Sequence, residues 1–238
     1  MAWKDLEFPE GTRNRQMPRV QVDFSKPIGE GNERRTLDHP ERPDRALKVY
    51  HERRPEMSAT GWRGWAMRNF LSVRNRRQRR ELECFLDLHL RGLTSHPDLP
   101  IARILGFRQT NHGPALEVEK IRRSPDDATV ARTLRWLLES EDYRPDMPAA
   151  LNNLMDRLEY FNIFVCDANY ENIVMSQVDG INELILVDGF GDYRLIRLFS
   201  HAPWMVRRNI RNAFMAQADF WGLPWDAPGG RFKINLPK

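Results

Sequence analysis

Asp167 and Asn172 stand five residues apart in VCDANYENIV (165–174), and an apolar pair follows at once. A carboxylate and an amide at this spacing can handle a proton and hold a metal ion. They can equally form a polar turn between a helix and a strand. Asp188 ends the apolar run of ILVDGFGDY, just before Gly189 and Gly191. That is a frequent place for a metal-binding carboxylate and a frequent opening of a turn. Lys48 sits in the middle of RALKVYH, between apolar residues of the opposite face. There it needs either a wet sheet face or a charge partner, because an unpaired buried ammonium is costly. Glu81 in RRELECFLDL can be that partner. It shares a helix face with Phe85 and Leu88, while Glu83 points about 200° away; Arg77, one turn back, is the competing partner. Gly29 and Gly31 in PIGEGNERR lie between two extended stretches. Bare backbone N–H groups in such a turn suit phosphate oxygens, although a plain hairpin turn has the same composition. Arg34 follows where a third glycine would complete a glycine-rich loop, and no Walker sequence is present.

The elements that must position these groups follow from periodicity. Alternation predicts strands over RVQVDF (19–24), ERRTL (33–37) and RALKVYH (45–51), with Leu47 and Val49 on one face and Lys48 and Tyr50 on the other. Helical spacing then takes over from about Ala59 to Leu93, ending near Arg91-Gly92. Strands 102–110 and 114–121 flank the turn signal NHG. Beyond them the pattern predicts helices over 124–140, opened by Ser-Pro-Asp, over 148–162, and from about Pro203 to Phe220, with a strand at 181–190. The expected class is α+β: a five-stranded antiparallel sheet with one helix, then a mostly helical half. The expected divisions are an arm at 1–18, a first lobe at 19–122, a second at 123–220, and a tail at 221–238 too rich in Pro and Gly for an element.

Composition narrows the classes. The chain has 238 residues, 41% apolar and 29% charged, which fits a globular protein and not a disordered one. No run of 18 apolar residues exists and no leader-like start is present, so no membrane span is expected and the expected compartment is the cytoplasm. Cys84 and Cys166 have no metal-ligand spacing and read as reduced thiols. Between His51 and Arg80, nine arginines face two glutamates. The patch suits phosphates, nucleic acid or an acidic surface, or is simply a solvated helix face. Nucleic acid is not the expected partner.

Taken in order, the glycine turn, strand lysine, helix glutamate, Asp-x-x-x-x-Asn and Asp-Gly-Phe-Gly resemble the layout of the protein-kinase superfamily. More narrowly, PIGEGNERRTLDHPERPDRALKVY, RRELECF and LILVDGFGDYRLI make the chain similar, over roughly 22–215, to the YrbL family, also called PhoP regulatory network proteins. The resemblance implies a two-lobed kinase-like fold, a link to a magnesium-responsive regulatory network in bacteria, and ATP and Mg²⁺ as cofactors. It implies Asp167, Lys48 and Glu81 as the catalytic set. Nucleotide contacts would come from Gly29, Gly31, Lys48 and the main chain at Glu119 and Ile121, and metal contacts from Asn172 and Asp188. Arg34 or Arg35 is expected to add charge near the γ-phosphate. The pattern also departs from protein kinases. Val165-Cys166 stands where His-Arg is usual, Asn169 where Lys is usual, and only 50 residues follow Asp188. A phosphorylation-docked activation loop and the usual peptide platform are therefore not expected. The reading is an ATP:Mg²⁺-dependent phosphotransferase of unknown acceptor. Its alternative is a pseudokinase-type module that binds a protein partner without turnover.

Overall fold

The computed structural model describes residues 19–31, 33–51, 65, 76–139, 147–178, 181–192 and 202–234. The arm at 1–18, the start of the predicted long helix and most of the arginine-rich segment lie outside the described residues.

Five antiparallel strands form the first sheet: β1 (Gly29–Glu30), β2 (Arg34–Asp38), β3 (Arg45–Tyr50), β4 (Ile104–Thr110) and β5 (Gly113–Glu119), in the order β1-β2-β3-β5-β4. β3 is central, which is why it tolerates burial on both faces. Leu47 and Val49 pack with Leu37, Ala115 and Val22 on the outer face, and Ala46 joins Leu116 and Val118 on the inner face. Two residues, Asn111 and His112, turn β4 into β5 as the NHG signal predicts.

The predicted strand at 19–24 is not one. Val20 makes only an isolated bridge to Thr110. The Asn111 side chain takes the place of a ladder, accepting from the Val22 N–H (2.9 Å) and donating to its carbonyl (3.1 Å). The alternation there reports a real apolar face, since Val20, Val22 and Phe24 cover the outside of the sheet. The first strand comes instead from Gly29–Glu30, inside a stretch that composition marks as a break.

Helix α1 (Arg76–Leu90) lies after β3 and buries Gln78, Glu81 and Leu88 along one stripe. Gly92 ends it with φ +73°; Gly92 N–H donates to the His89 carbonyl and Leu93 N–H to Leu88. The helix over Met147–Tyr160 ends in the same way at Asn162, φ +60°, with Ile163 N–H on the Leu158 carbonyl (2.9 Å).

The predicted helix over 124–140 is also corrected. It is strands β6 (Arg122–Ser124), β7 (Asp127–Val130) and β8 (Arg132–Thr133), with only the short helix α2 (Leu134–Glu139). Pro125-Asp126 forms the β6–β7 turn, and Asp127 Oδ1 accepts from the N–H and hydroxyl of Thr129. The Ser-Pro-Asp signal fits a turn as well as a helix start, and β-branched Thr129 and Val130 favour the extended chain.

Helices α3 (Met147–Tyr160) and α4 (Pro203–Ala218) occur where predicted, and pack Leu151, Leu154, Met155 and Leu158 with Val206, Ile210 and Phe214. Between them a hairpin joins β9 (Ile173–Val178), which periodicity missed, to β10 (Ile181–Leu186) over six residue pairs. The tail is not irregular throughout: β11 (Trp225–Asp226) pairs with β12 (Arg231–Phe232). Trp221, Leu223 and Phe232 complete the core, and Asn152 brackets the Phe232 N–H and carbonyl at 2.9 and 3.0 Å. One apolar cluster runs from the inner sheet face into this second half. No described helix is long and apolar enough to cross a membrane.

Candidate functional site

Four charged side chains from four parts of the chain meet beneath the inner face of the sheet. Lys48 on β3 is buried and reaches Glu81 Oε2 on α1 at 3.3 Å; its Nζ donates to the Val187 carbonyl at 2.6 Å and lies 3.9 Å from Asp188. Arg34, the first residue of β2, enters the same space. Its Nη2 is 2.5 Å from Glu81 Oε1 and 2.5 and 2.7 Å from the two oxygens of Asp188. Sheet register decides this. Arg34 pairs with Tyr50 and Thr36 with Lys48, so Arg34 shares the inner face with Lys48. Arg35 points outward to Glu30 and the Phe24 carbonyl. Of the two arginines expected near a phosphate, only Arg34 reaches the cluster.

The cluster balances two cations against two carboxylates, which is what permits its burial. Burial pushes the Glu81 carboxyl up, and the Asp188 charge adds to this against the pull of Arg34 and Lys48. Burial opposes ionisation of Asp188 too, but Lys48, Arg34 and the Gly189 N–H outweigh it and hold its carboxyl well below the usual range. The Arg34 guanidinium loses solvation on burial, yet Glu81 and Asp188 raise its pKa.

The second part of the site is a laced pair of loops. The Gly189 carbonyl accepts from Cys166 N–H (2.7 Å) and Asp167 N–H (3.0 Å), and Gly191 N–H donates to the Phe164 carbonyl. Asn172 Nδ2 donates to the Asp167 carbonyl at 3.2 Å, and its own carbonyl accepts from Val187 N–H at 2.8 Å. Both glycines are required here. Gly189 has φ +78°, and a Cβ on it would overlap the Asp167 carbonyl oxygen. Gly191 has φ +101°, and a Cβ there would lie 2.7 Å from the Arg80 carbonyl on α1. Gly189 thus lets the Asp188 loop close on the Asp167 loop, and Gly191 lets it pass close to α1. Asp167 and Asp188 lie on one side of the molecule, joined through Gly189, and not on opposite surfaces.

One positioning residue has no signal in the sequence. Asn209 on α4 accepts from the Val165 N–H (2.8 Å) and donates to its carbonyl (3.0 Å), fixing the chain two residues before Asp167. Its spacing within the helix marks it only as a polar residue among core positions.

The remaining candidates are placed as follows. Gly29 lies in β1, and Gly31 N–H donates to the Arg34 carbonyl at 2.9 Å, so the glycine turn adjoins the arginine of the cluster. Glu119 ends β5; its N–H donates to the Arg103 carbonyl and its carboxylate pairs with Arg103. The Ile121 carbonyl accepts from Ala131 N–H at 3.0 Å. Among the described residues no three acidic, histidine or cysteine side chains converge as a metal cage. Asp188 and Asn172 instead offer a carboxylate and an amide oxygen. Such a sparse oxygen set fits Mg²⁺, which is usually bound by one or two carboxylates together with substrate phosphates and water.

The model of the PhoP regulatory network protein YrbL family matches residues 20–218, a span that contains every residue of the site. The chain belongs to that family. No curated protein matches it. Solved structures similar to the chain include one of the CAK complex of Chaetomium thermophilum bound to ATP-gamma-S, at 19% identity and a TM-score of 0.42 over 69% of this chain and 45% of that one. Another is WbdD with the kinase inhibitor LY294002, at 16% identity and 0.43 over 82% of this chain and 37% of that one. The chain thus spans less than half the length of either. This YrbL-family chain folds as a five-stranded antiparallel sheet with a glutamate-bearing helix, followed by a half of helices and short strand pairs that carries the two loops.

Proposed function

We propose that the chain binds a nucleoside triphosphate, ATP, with Mg²⁺ between the sheet and the paired loops, and transfers its terminal phosphoryl group to an acceptor hydroxyl. The observation that carries this reading is the burial of Lys48 at 4% exposure, in contact with both Glu81 and the strand end that delivers Asp188. A lysine is sunk this deeply only where charge partners repay its desolvation, and here the partners come from separate elements that meet in one cluster. In this reading Lys48 holds the inner phosphates and Glu81 orients Lys48. The turn at Gly29 and Gly31 covers the phosphates, and main chain at Glu119 and Ile121 borders the base. Asp167 orients the acceptor hydroxyl and takes its proton. Asn172 and Asp188 hold Mg²⁺, which supplies positive charge to the transferring phosphoryl group.

Thermal unfolding tests the reading. ATP with Mg²⁺ raises the melting temperature of the wild type, because a ligand that binds the folded state stabilises it. Asp188→Asn removes most of that rise. A wild type whose melting point ignores ATP and Mg²⁺ at millimolar concentration sinks the proposal.

A second reading keeps nucleotide binding without turnover, with a protein contact as the output. The ion pair between Arg34 and Asp188 favours it, because it engages the carboxylate that a metal needs. Formation of ADP above background in the wild type, lost in Asp167→Asn, separates the two.

A further inference from the structure

Asp188 is a crowded carboxylate. Oδ1 accepts from Gly189 N–H at 2.6 Å and from Arg34 Nη2 at 2.5 Å, while Oδ2 accepts from the same nitrogen at 2.7 Å with Lys48 beyond it at 3.9 Å. One guanidinium nitrogen therefore straddles both oxygens. Mg²⁺ needs a carboxylate oxygen at roughly 2.0–2.1 Å and in near-octahedral geometry. A divalent ion beside a guanidinium so placed would also face an unscreened positive charge in a buried site. With Arg34 Nη2 across both oxygens, the two cations compete for Asp188.

We infer that Arg34 is an internal cation that competes with the divalent metal for Asp188, so that loading the site is an exchange. The metal takes the carboxylate, and Arg34 moves from the carboxylates onto an anion of the ligand. The inference rests on the proposed nucleotide site and specifies how that site is filled. Two observations support the exchange beyond the ion pair itself. Arg34 Nη1 is buried with no hydrogen-bond partner among the described residues, although Arg34 is only 6% exposed. A guanidinium in its resting place should spend its donors, so one idle face is a donor in reserve. Arg34 also begins β2, and Gly31 N–H donates to the Arg34 carbonyl. The side chain that leaves Asp188 is therefore already beside the backbone turn that suits phosphate oxygens. A triphosphate supplies the anion that Arg34 loses, whereas a bare metal does not. Metal and nucleotide thus bind with positive coupling, and each alone binds weakly because the competent state is a minor one.

Mn²⁺ is the probe, titrated alone and read by electron paramagnetic resonance of the free ion and by thermal shift. Arg34→Met keeps much of the side-chain bulk and removes the competing charge. It tightens Mn²⁺ binding by about tenfold or more, as expected when a closed state that dominates is abolished. Arg79→Met, an exposed arginine of α1 paired with Glu83, removes the same charge elsewhere and leaves Mn²⁺ binding as in the wild type. Equal or weaker Mn²⁺ binding by Arg34→Met, in a wild type that still binds Mn²⁺ with ATP, overturns the exchange and leaves the nucleotide site standing. No binding by any variant, with or without ATP, removes the nucleotide site and the exchange together. Where Arg34→Met does not fold, the wild type decides. The Arg34 side-chain nitrogen resonances move on saturation with Mg²⁺ and ATP if the guanidinium changes partners, and unchanged resonances at saturation overturn the inference.

Discussion

Each face of the same sheet buries a carboxylate, and the two are built differently. On the outer face Glu117 of β5 is fully buried and meets Arg45 of β3 at 2.7 Å and Arg108 of β4 at 2.7 Å, with His39 at 3.9 Å. On the inner face Glu81 meets Lys48 and Arg34 but shares both with Asp188. Burial raises both glutamates, yet the arginines carry Glu117 to a net lowered pKa while Glu81 stays raised. The difference is the competing anion. The outer cluster comes from neighbouring strands and their turn and has cations to spare, so it staples the sheet. The inner cluster draws on both halves of the chain and ties up every charge. The proposed nucleotide site asks it to exchange one ion for another, a demand that nothing places on the outer staple.

The largest expected effect tests that contrast directly. Lys48→Met leaves two buried carboxylates with a single arginine and costs about 3–5 kcal/mol in urea unfolding, the range for breaking a buried pair from one side. It also abolishes the ATP-dependent thermal shift. Glu117→Gln costs less, about 1–3 kcal/mol, because Arg45 and Arg108 keep 24% and 43% of their side-chain surface in water and can turn outward. It leaves the nucleotide shift intact. If Glu117→Gln proves the more costly of the two, the contrast between staple and site breaks.

The smallest effect is in pH dependence, where the two glutamates carry opposite signs. Glu117 has a lowered folded pKa, so its contribution is present above the ordinary carboxylate range and fades as pH falls through the lowered value. The difference in stability between wild type and Glu117→Gln therefore shrinks on acidification. Glu81 has a raised folded pKa, so its contribution is complete below the ordinary range and is lost as pH rises through the raised value. The wild type loses stability relative to Glu81→Gln over that rise. Urea midpoints measured from acid to neutral pH read both slopes.

Much of the frame was legible because it rests on local patterns. The alternation in RALKVY placed β3 and its two faces, and the stripe of Glu81, Phe85 and Leu88 turned the glutamate inward. The same logic failed where two structures share one local code. Ser-Pro-Asp followed by apolar residues at helical spacing suits a helix start, yet the chain there forms β6, β7 and β8. The Trp and Phe residues scattered through the Pro- and Gly-rich tail have no period at all, and only the groove beside α3 and α4 collects them. Arg34 and Arg35 are indistinguishable as neighbours in a sequence. Asn209 lies 44 positions from the backbone it brackets, with nothing local to mark it.

By itself, the sequence determined which chemical groups exist and in what order, the two faces of β3 and the inward stripe of α1. Tertiary structure decided which groups meet. Pairing of Thr36 with Lys48 turns Arg34 inward and Arg35 outward, a choice that a slip of one residue would reverse because strand side chains alternate. The same pairing put a guanidinium on Asp188, where the order of motifs alone leads one to expect only a metal. Charge partners in a folded chain are set by distances between packed elements, and no spacing along the sequence encodes those distances.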